Sequence, residues 1–430
     1  MKLIIAIALL LFSSTAILAQ LPPSKIYESS FAQAPKVIIN AADSSDKNFV
    51  DKLTYPLLFY SPGESADTLY AWAVLWDNDA NASKSITKRT LDASTLKTKG
   101  DDITLDIQIK TKEVVPLTVE AGVGCVGIPS LRDDGADTPD QLYFYVLLSN
   151  ATSDTKPIEI KLSNNTNPNI TFLVHHILFQ GSYFYIAFIE FDKTTELEKS
   201  FQLQGIKGDG SLLFPSTIEI ASFSPGNPHD MTMPVTVPDN ATNPTFIYCV
   251  YKVNDSVIMQ TKAMVADSKV EEPVTLQADT DMVKYYPENS ISASSVLGII
   301  LSRIAFKDEK KVDFDRSYRV FFNGATSDPQ PLNLTAPEGY AFPVLHMFDY
   351  PDGFAITSQY FGKDTSAYTV KIFNTDGTEK VPQKNLARLH LSQGNMRFIQ
   401  DVAGAVWAGF SDFNLRHRKF EKAYLGKVIA

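Results

Sequence analysis

Tyr183-Phe184-Tyr185-Ile186-Ala187-Phe188-Ile189 runs seven residues with no charge and no polar atom beyond two tyrosine hydroxyls. It shows no alternation of apolar and polar positions, is too short for a buried helix, and is rich in aromatic and β-branched side chains. A strand buried on both faces is the reading that fits. Six further runs have the same character: 70–76, 143–148, 246–251, 296–301, 354–361 and 405–410. Their starts recur at an average of about 55 residues, a spacing in the range of repeated β units.

Each run follows another apolar strand candidate, at 55–60, 122–128, 172–179, 231–237, 282–286, 342–348 and 396–402. Several are followed by a half-polar strand, as at 157–162, 257–263, 318–322 and 368–373. Asp209-Gly210 and Asp376-Gly377 supply the positive φ that tight turns between outer strands need. Two buried strands followed by one or two half-exposed ones resemble a blade of the β-propeller superfold. The resemblance implies an all-β chain with a propeller of seven blades, each of about four antiparallel strands, over residues 36–430. It lies in strand spacing and polarity alone, since no Trp-Asp repeat ending, kelch double glycine or sialidase-type Asp box is present. A string of β-sandwich domains is the rival, but it would need linkers that the chain does not show. Ring closure is expected from residues 36–40 pairing with strands of 405–430, which removes free edges.

Ahead of this region, Lys2, an apolar run over 3–12 and the small residues ending at Ala19 have the order of a cleavable signal peptide. Residues 1–19 are read as that signal, 20–35 as an N-terminal linker. No other stretch is long and apolar enough to span a membrane, so the expected location is extracellular or the secretory-pathway lumen. The net charge of −10 is spread along the chain and disfavours nucleic acid as a partner. The one basic cluster, Arg416-His417-Arg418-Lys419, reads as a solvated strand end.

Seven Asn-x-Ser/Thr sequons, at Asn81, Asn150, Asn164, Asn169, Asn240, Asn254 and Asn333, mark N-glycosylation in a secreted chain. Asn81, Asn150 and Asn254 are expected in turns leading to the third strand of their blades, around one rim of the disc. Cys125 and Cys249 could pair, but both sit in apolar strand runs and are read as buried free thiols.

The familiar active sites are missing. None of the six histidines (His175, His176, His229, His346, His390, His417) has zinc-protease spacing, and no Gly-x-Ser-x-Gly elbow or phosphate-binding glycine loop occurs. His175 and His176 are read as core or pore lining, their rings on opposite faces of a strand. Ser85-x-x-Lys88 and Ser94-x-x-Lys97 lack accompanying motifs and are chance matches. Carboxylates that could gather at a propeller axis are Asp77 and Asp79, and Asp133, Asp134, Asp137 and Asp140. The latter four vaguely resemble a calcium loop of integrin-type propellers, the one cofactor suggestion in the chain, though the spacing departs from that pattern. The functional expectation is a non-enzymatic binding or structural scaffold for an extracellular protein or glycan. The alternative is an extracellular hydrolase acting on a glycan or similar polymer through axial carboxylates.

Overall fold

The computed structural model describes residues 24–43, 46, 57–77, 82–110, 120–132, 138–152, 155–222, 235–236, 244–253, 256–293, 296–308, 313–321, 330–350, 353–362, 365–390, 396–414 and 419–429. The signal segment and the basic residues 416–418 lie outside them.

Among the described residues the strands pair into seven antiparallel sheets, called I to VII in chain order. Sheet I consists of Leu57–Pro62, Thr68–Asp77, Ala82–Asp92 and Ile103–Lys110. Sheet II has Glu120–Gly122, Cys125–Arg132, Gln141–Leu148 and Ile158–Lys161. Sheet III has Ile170–Gln180, Tyr183–Asp192, Leu197–Lys207 and Ile218–Ser222. In sheet IV, Val235–Thr236, Phe246–Val253 and Val257–Met264 are edged by Lys269–Val270 and Val274–Ala278. Sheet V has Val283–Ala293, Val296–Asp308, Asp313–Phe321 and Gln330–Pro331. Sheet VI has Ala341–Tyr350, Gly353–Phe361, Thr365–Asn374 and Glu379–His390, and sheet VII has Arg397–Gln400, Val406–Asn414 and Lys419–Ile429.

Apolar clusters join each sheet to the next. Trp72 and Ile86 of sheet I pack on Val126 and Tyr145 of sheet II, and Phe144 and Val146 on Phe184 and Phe188 of sheet III. Tyr185 and Phe201 pack on Ile247 and Cys249, Val250 and Ile258 on Ile299 and Leu301, Ile300 on Leu345 and Ile356, and Tyr368 and Leu386 on Val406 and Phe410. A final cluster sets Trp407, Phe420 and Leu425 of sheet VII against Leu58, Leu69 and Leu91 of sheet I. Sheet VII therefore returns to sheet I, and the molecule is a β-propeller. The run 183–189 is the second strand of sheet III, and Phe184 to Ile189 are buried on both faces because a neighbouring sheet covers each one.

Closure uses the N-terminal segment twice. Gln33–Asn40 is the outer strand of sheet VII, with Lys36 opposite Leu425 and Ile39 opposite Ala423. Upstream, within the stretch expected to be a linker, Lys25–Ile26 adds a fifth strand to sheet VI, Lys25 opposite Arg388. Arg89 of sheet I fastens the clasp from the far side of the seam. Its Nη1 donates to the Ile38 carbonyl at 2.7 Å, Nε and Nη2 donate to Asp102 at 2.9 and 2.6 Å, and Nη2 meets Asp46 at 2.7 Å. Asp46 in turn accepts from the Asn40 backbone N–H at 2.7 Å.

Sheet II departs from the sequence reading. The run 122–128 is not one strand: Gly122 pairs with Cys125 across a hairpin, so the inner strand is the short Glu120–Gly122 and the apolar residues begin the second strand. The runs 143–148 and 157–162 accordingly form the third and fourth strands. A three-residue inner strand holding Glu, Ala and Gly gives no hydrophobic signal. The expected placement of Asn150 fails with it, because Asn150 follows the third strand and lies on the opposite rim from a turn between second and third strands. Both Asp-Gly turns join third to fourth strands as expected, with φ of 86° at Gly210 and 85° at Gly377.

Candidate functional site

The innermost strands of the sheets surround the ring axis, and exposed apolar side chains such as Leu173 and Val344 stand on them. Several chemistry-bearing exceptions face one another. Counted from the hairpin end of each inner strand, His176 stands four positions before Gln180 and His346 four before Tyr350. Arg397 stands three before Gln400, and Glu120 two before Gly122. At a rise of about 3.3 Å per residue, these four side chains from sheets II, III, VI and VII sit within roughly 7 Å along the axis.

Their electrostatics show that they sense each other. Burial pushes the Glu120 carboxyl up to about 7, against the opposing pull of the Phe179 backbone N–H and the Arg397 guanidinium. Arg397 is exposed in the channel but ringed closely enough by protein that burial lowers its pKa, with Glu120 and Tyr60 acting in its favour. His176 is held down to about 4 by burial, reinforced by His175 on its own strand and His346 on the strand three sheets away. Burial also lowers His175 and His346. All three imidazoles are neutral at pH 7, so the charge of the cluster rests on Arg397 and on whether Glu120 holds its proton.

Local structure explains the arrangement. A β-bulge between Val174 and His176 breaks the alternation of Ile170–Gln180, so the expectation that the two histidine rings oppose each other does not hold there. His175 turns its ring edge-on to Phe201, 6.2 Å between centroids. Arg397 pairs with Gly409 on the next strand. A Cβ on Gly409 would fall 2.0 Å from the Tyr60 ring, so glycine is what lets that ring lie beside Arg397. Tyr60 itself is buried, its OH directed at the Tyr424 carbonyl at 3.4 Å, and burial raises its pKa strongly. Above the imidazoles, Leu173 and Val344 are 44% and 40% exposed while Leu345 and Met347 between and beyond them are buried, which puts an apolar collar on the channel wall.

The candidates expected from sequence are placed elsewhere. Asp77 ends the second strand of sheet I, away from the inner strands. Asp79, Asp133, Asp134 and Asp137 lie outside the described residues. Asp140 is 2% exposed and meets Lys193 at 3.5 Å, so its charge is already balanced. Among the described residues no group of three His, Cys, Asp or Glu side chains has metal-holding geometry. Cys125 and Cys249 are free and buried in different seams, and burial raises Cys125 to about 12. Asn150, Asn164, Asn169 and Asn333 are all exposed, while Asn81, Asn240 and Asn254 lie outside the described residues. Asn164, Asn169 and Asn333 occupy connections from an outer strand to the next inner strand, on one face; Asn150 is on the other. His229 and His417 lie outside the described residues, and His390 ends the outer strand of sheet VI.

No protein-family model matches the chain, and no curated protein matches it. Solved structures do. The β-propeller domain of the trilobed protease from Pyrococcus furiosus aligns at 8% identity over 87% of this chain and 98% of that one, with a TM-score of 0.44. Prolyl oligopeptidase B from Galerina marginata aligns at 11% over 82% of this chain, TM-score 0.43. The fucose-specific lectin from Aleuria aurantia aligns at 11% identity over 79% of this chain and 97% of its own, TM-score 0.36. The chain spans about half, 46%, of the length of both the Galerina enzyme and oligopeptidase B from Leishmania major. The propeller assignment rests on the sheet order and ring closure above.

Proposed function

We propose that this chain is a secreted, N-glycosylated, seven-bladed propeller that acts as a non-enzymatic binding scaffold, with the hairpin end of its axis as the binding surface. The observation that carries the reading is the composition of the axial cluster. Hydrolysis of a glycosidic bond by the usual route needs two carboxylates facing across the substrate. Among the described residues the charge facing Glu120 is the Arg397 guanidinium, and an acid opposite a cation with neutral imidazoles nearby suits recognition of a polar ligand. Glycans at Asn164, Asn169 and Asn333 would crowd the face where inner strands begin, whereas the hairpin end would carry the Asn150 glycan in a connection between outer strands, which leaves the centre of that face to an extracellular protein or glycan.

The test begins with the exported protein. Terminal sequencing is expected to find Gln20 first, and peptide mapping before and after glycan removal is expected to find Asn150, Asn164, Asn169 and Asn333 modified. The same preparation is then assayed on a panel of chromogenic glycosides and polysaccharides. Turnover that disappears in Glu120→Gln would replace the scaffold reading with a hydrolase; no turnover together with partner capture that is lost in Arg397→Met would support it.

A further inference from the structure

The axial cluster has a cation without a full set of partners and an apolar wall at a fixed distance from it. Among the described residues no carboxylate closes to ion-pair distance on Arg397; Glu120 acts on it only through its field. Leu173 stands seven positions before the end of its strand and Val344 six, so the collar lies three to four steps from the level of Arg397, roughly 10–13 Å along the axis. His176 and His346 fill the interval. As neutral imidazoles they can each donate one N–H and accept at the other nitrogen.

We propose that the channel binds a small organic carboxylate, its acid group taken by Arg397 and its apolar body lying against Leu173 and Val344. The inference rests on the reading of the axis as a binding site and adds the ligand class to it. A guanidinium matches a carboxylate through two parallel hydrogen bonds, which an alcohol or amide cannot reproduce. The exposed leucine and valine select a ligand with a hydrocarbon portion, because their burial on binding adds a hydrophobic contribution that a short acid such as formate cannot supply. Glu120 makes the site responsive to pH. Ionised, it competes for Arg397 and repels the incoming acid; protonated, it leaves the guanidinium available. The other titratable groups around it are Arg397, Tyr60, His175, His176 and, across the axis, His346. Arg397 and Tyr60 keep their protonation state near neutral pH, and the histidines charge only below about pH 6.5 because burial lowers them.

The probes are 3-phenylpropionate and its neutral amide, titrated by calorimetry into the full secreted chain at pH 6.5 and pH 8.5. The acid is expected to bind at least tenfold more tightly than the amide and to weaken as pH rises through about 7. Arg397→Met should lose the preference for the acid, while Glu120→Gln should keep it and bind equally at both pH values. Circular dichroism and thermal melting of each variant establish that it is folded, and Arg397→Lys, which keeps the charge but not the fork, should retain part of the preference. Equal binding of acid and amide overturns the carboxylate assignment alone. Binding of neither probe by the folded wild-type chain overturns the reading of the channel as a site for this ligand class, while capture of a larger partner at the hairpin end is decided by the separate test above.

Discussion

Arg89 and Arg397 both lie beside the seam where sheet VII meets sheet I, and the fold treats them in opposite ways. Arg89 is buried and fully engaged, with two carboxylates and a backbone carbonyl on its guanidinium. Arg397 is exposed to the channel, and the acid that acts on it, Glu120, holds a raised pKa because protein surrounds it. A charge that folding has completely partnered does structural work, since removing it strands its partners. A charge left incompletely partnered in an accessible place is available to something else. Two arginines of one sequence, indistinguishable by composition, differ in what their neighbours leave for them to do.

The sharpest way to break the contrast is at the clasp. Deleting residues 24–40 removes the outer strand of sheet VII together with the Ile38 carbonyl that Arg89 holds, and opens the edge of Lys419–Ile429. The expected product is insoluble or rapidly cut by protease, and recovery of a compact, resistant molecule would show that the apolar seam closes the ring unaided. Arg89→Met isolates the polar part. It leaves the buried Asp46 and the half-buried Asp102 without their cation and should cost about 3 kcal/mol by denaturant titration. A smaller effect is expected from Gly409→Ala, where the new methyl meets the Tyr60 ring: about 1–3 kcal/mol, as overpacking usually costs. Arg397→Met, by contrast, should change stability by less than about 1 kcal/mol, as an exposed substitution that breaks no side-chain hydrogen bond among the described residues.

The structural half of the contrast was largely legible in the sequence. The run 183–189 and its relatives specify strands covered on both faces, and such strands require neighbours on both sides, so a ring or stack of sheets follows. The clasp was legible too, because a ring closed by residues 36–40 pairing with the C-terminal segment leaves no free edge, and Gln33–Asn40 does pair with Lys419–Ile429. The axial site was not. The carboxylates that stand out in the sequence, Asp77, Asp79 and the group from Asp133 to Asp140, follow second strands, whereas the axis is lined by inner strands. Glu120 sits in an inner strand too short to register as one, and Arg397 lies within 396–402, which reads as an apolar strand and does not single the arginine out. The available signal was polarity out of place: His175, His176 and His346 inside otherwise apolar inner strands. Their meeting depends on ring geometry that joins sheets III and VI across an axis, which no local pattern encodes.

The finest test lies in the pH dependence of Glu120, which separates an acid held for a site from an acid held for stability. Its pKa is about 7 in the folded chain, against 4.5 for an unperturbed glutamate. Between those values the folded state binds more protons than the unfolded state, so stability falls as pH rises from about 4.5 to about 7, and the full cost persists above. An ionic partnership made for stability would have the opposite sign, with the folded pKa depressed and stability gained on ionisation. Glu120→Gln removes the ionisation while keeping size and hydrogen-bonding capacity. It should therefore raise stability at pH 8 by about 1–2 kcal/mol, less than the whole shift implies because the side chain is only partly screened from water. At pH 4.5 the gain should vanish, since the wild-type carboxyl is then protonated in the folded chain. Urea titrations of both proteins at pH 4.5, 6 and 8 measure the difference directly. A variant less stable than wild type at pH 8 would mean that the Glu120 charge supports the fold through Arg397, and would place Arg397 with Arg89 instead of opposite it.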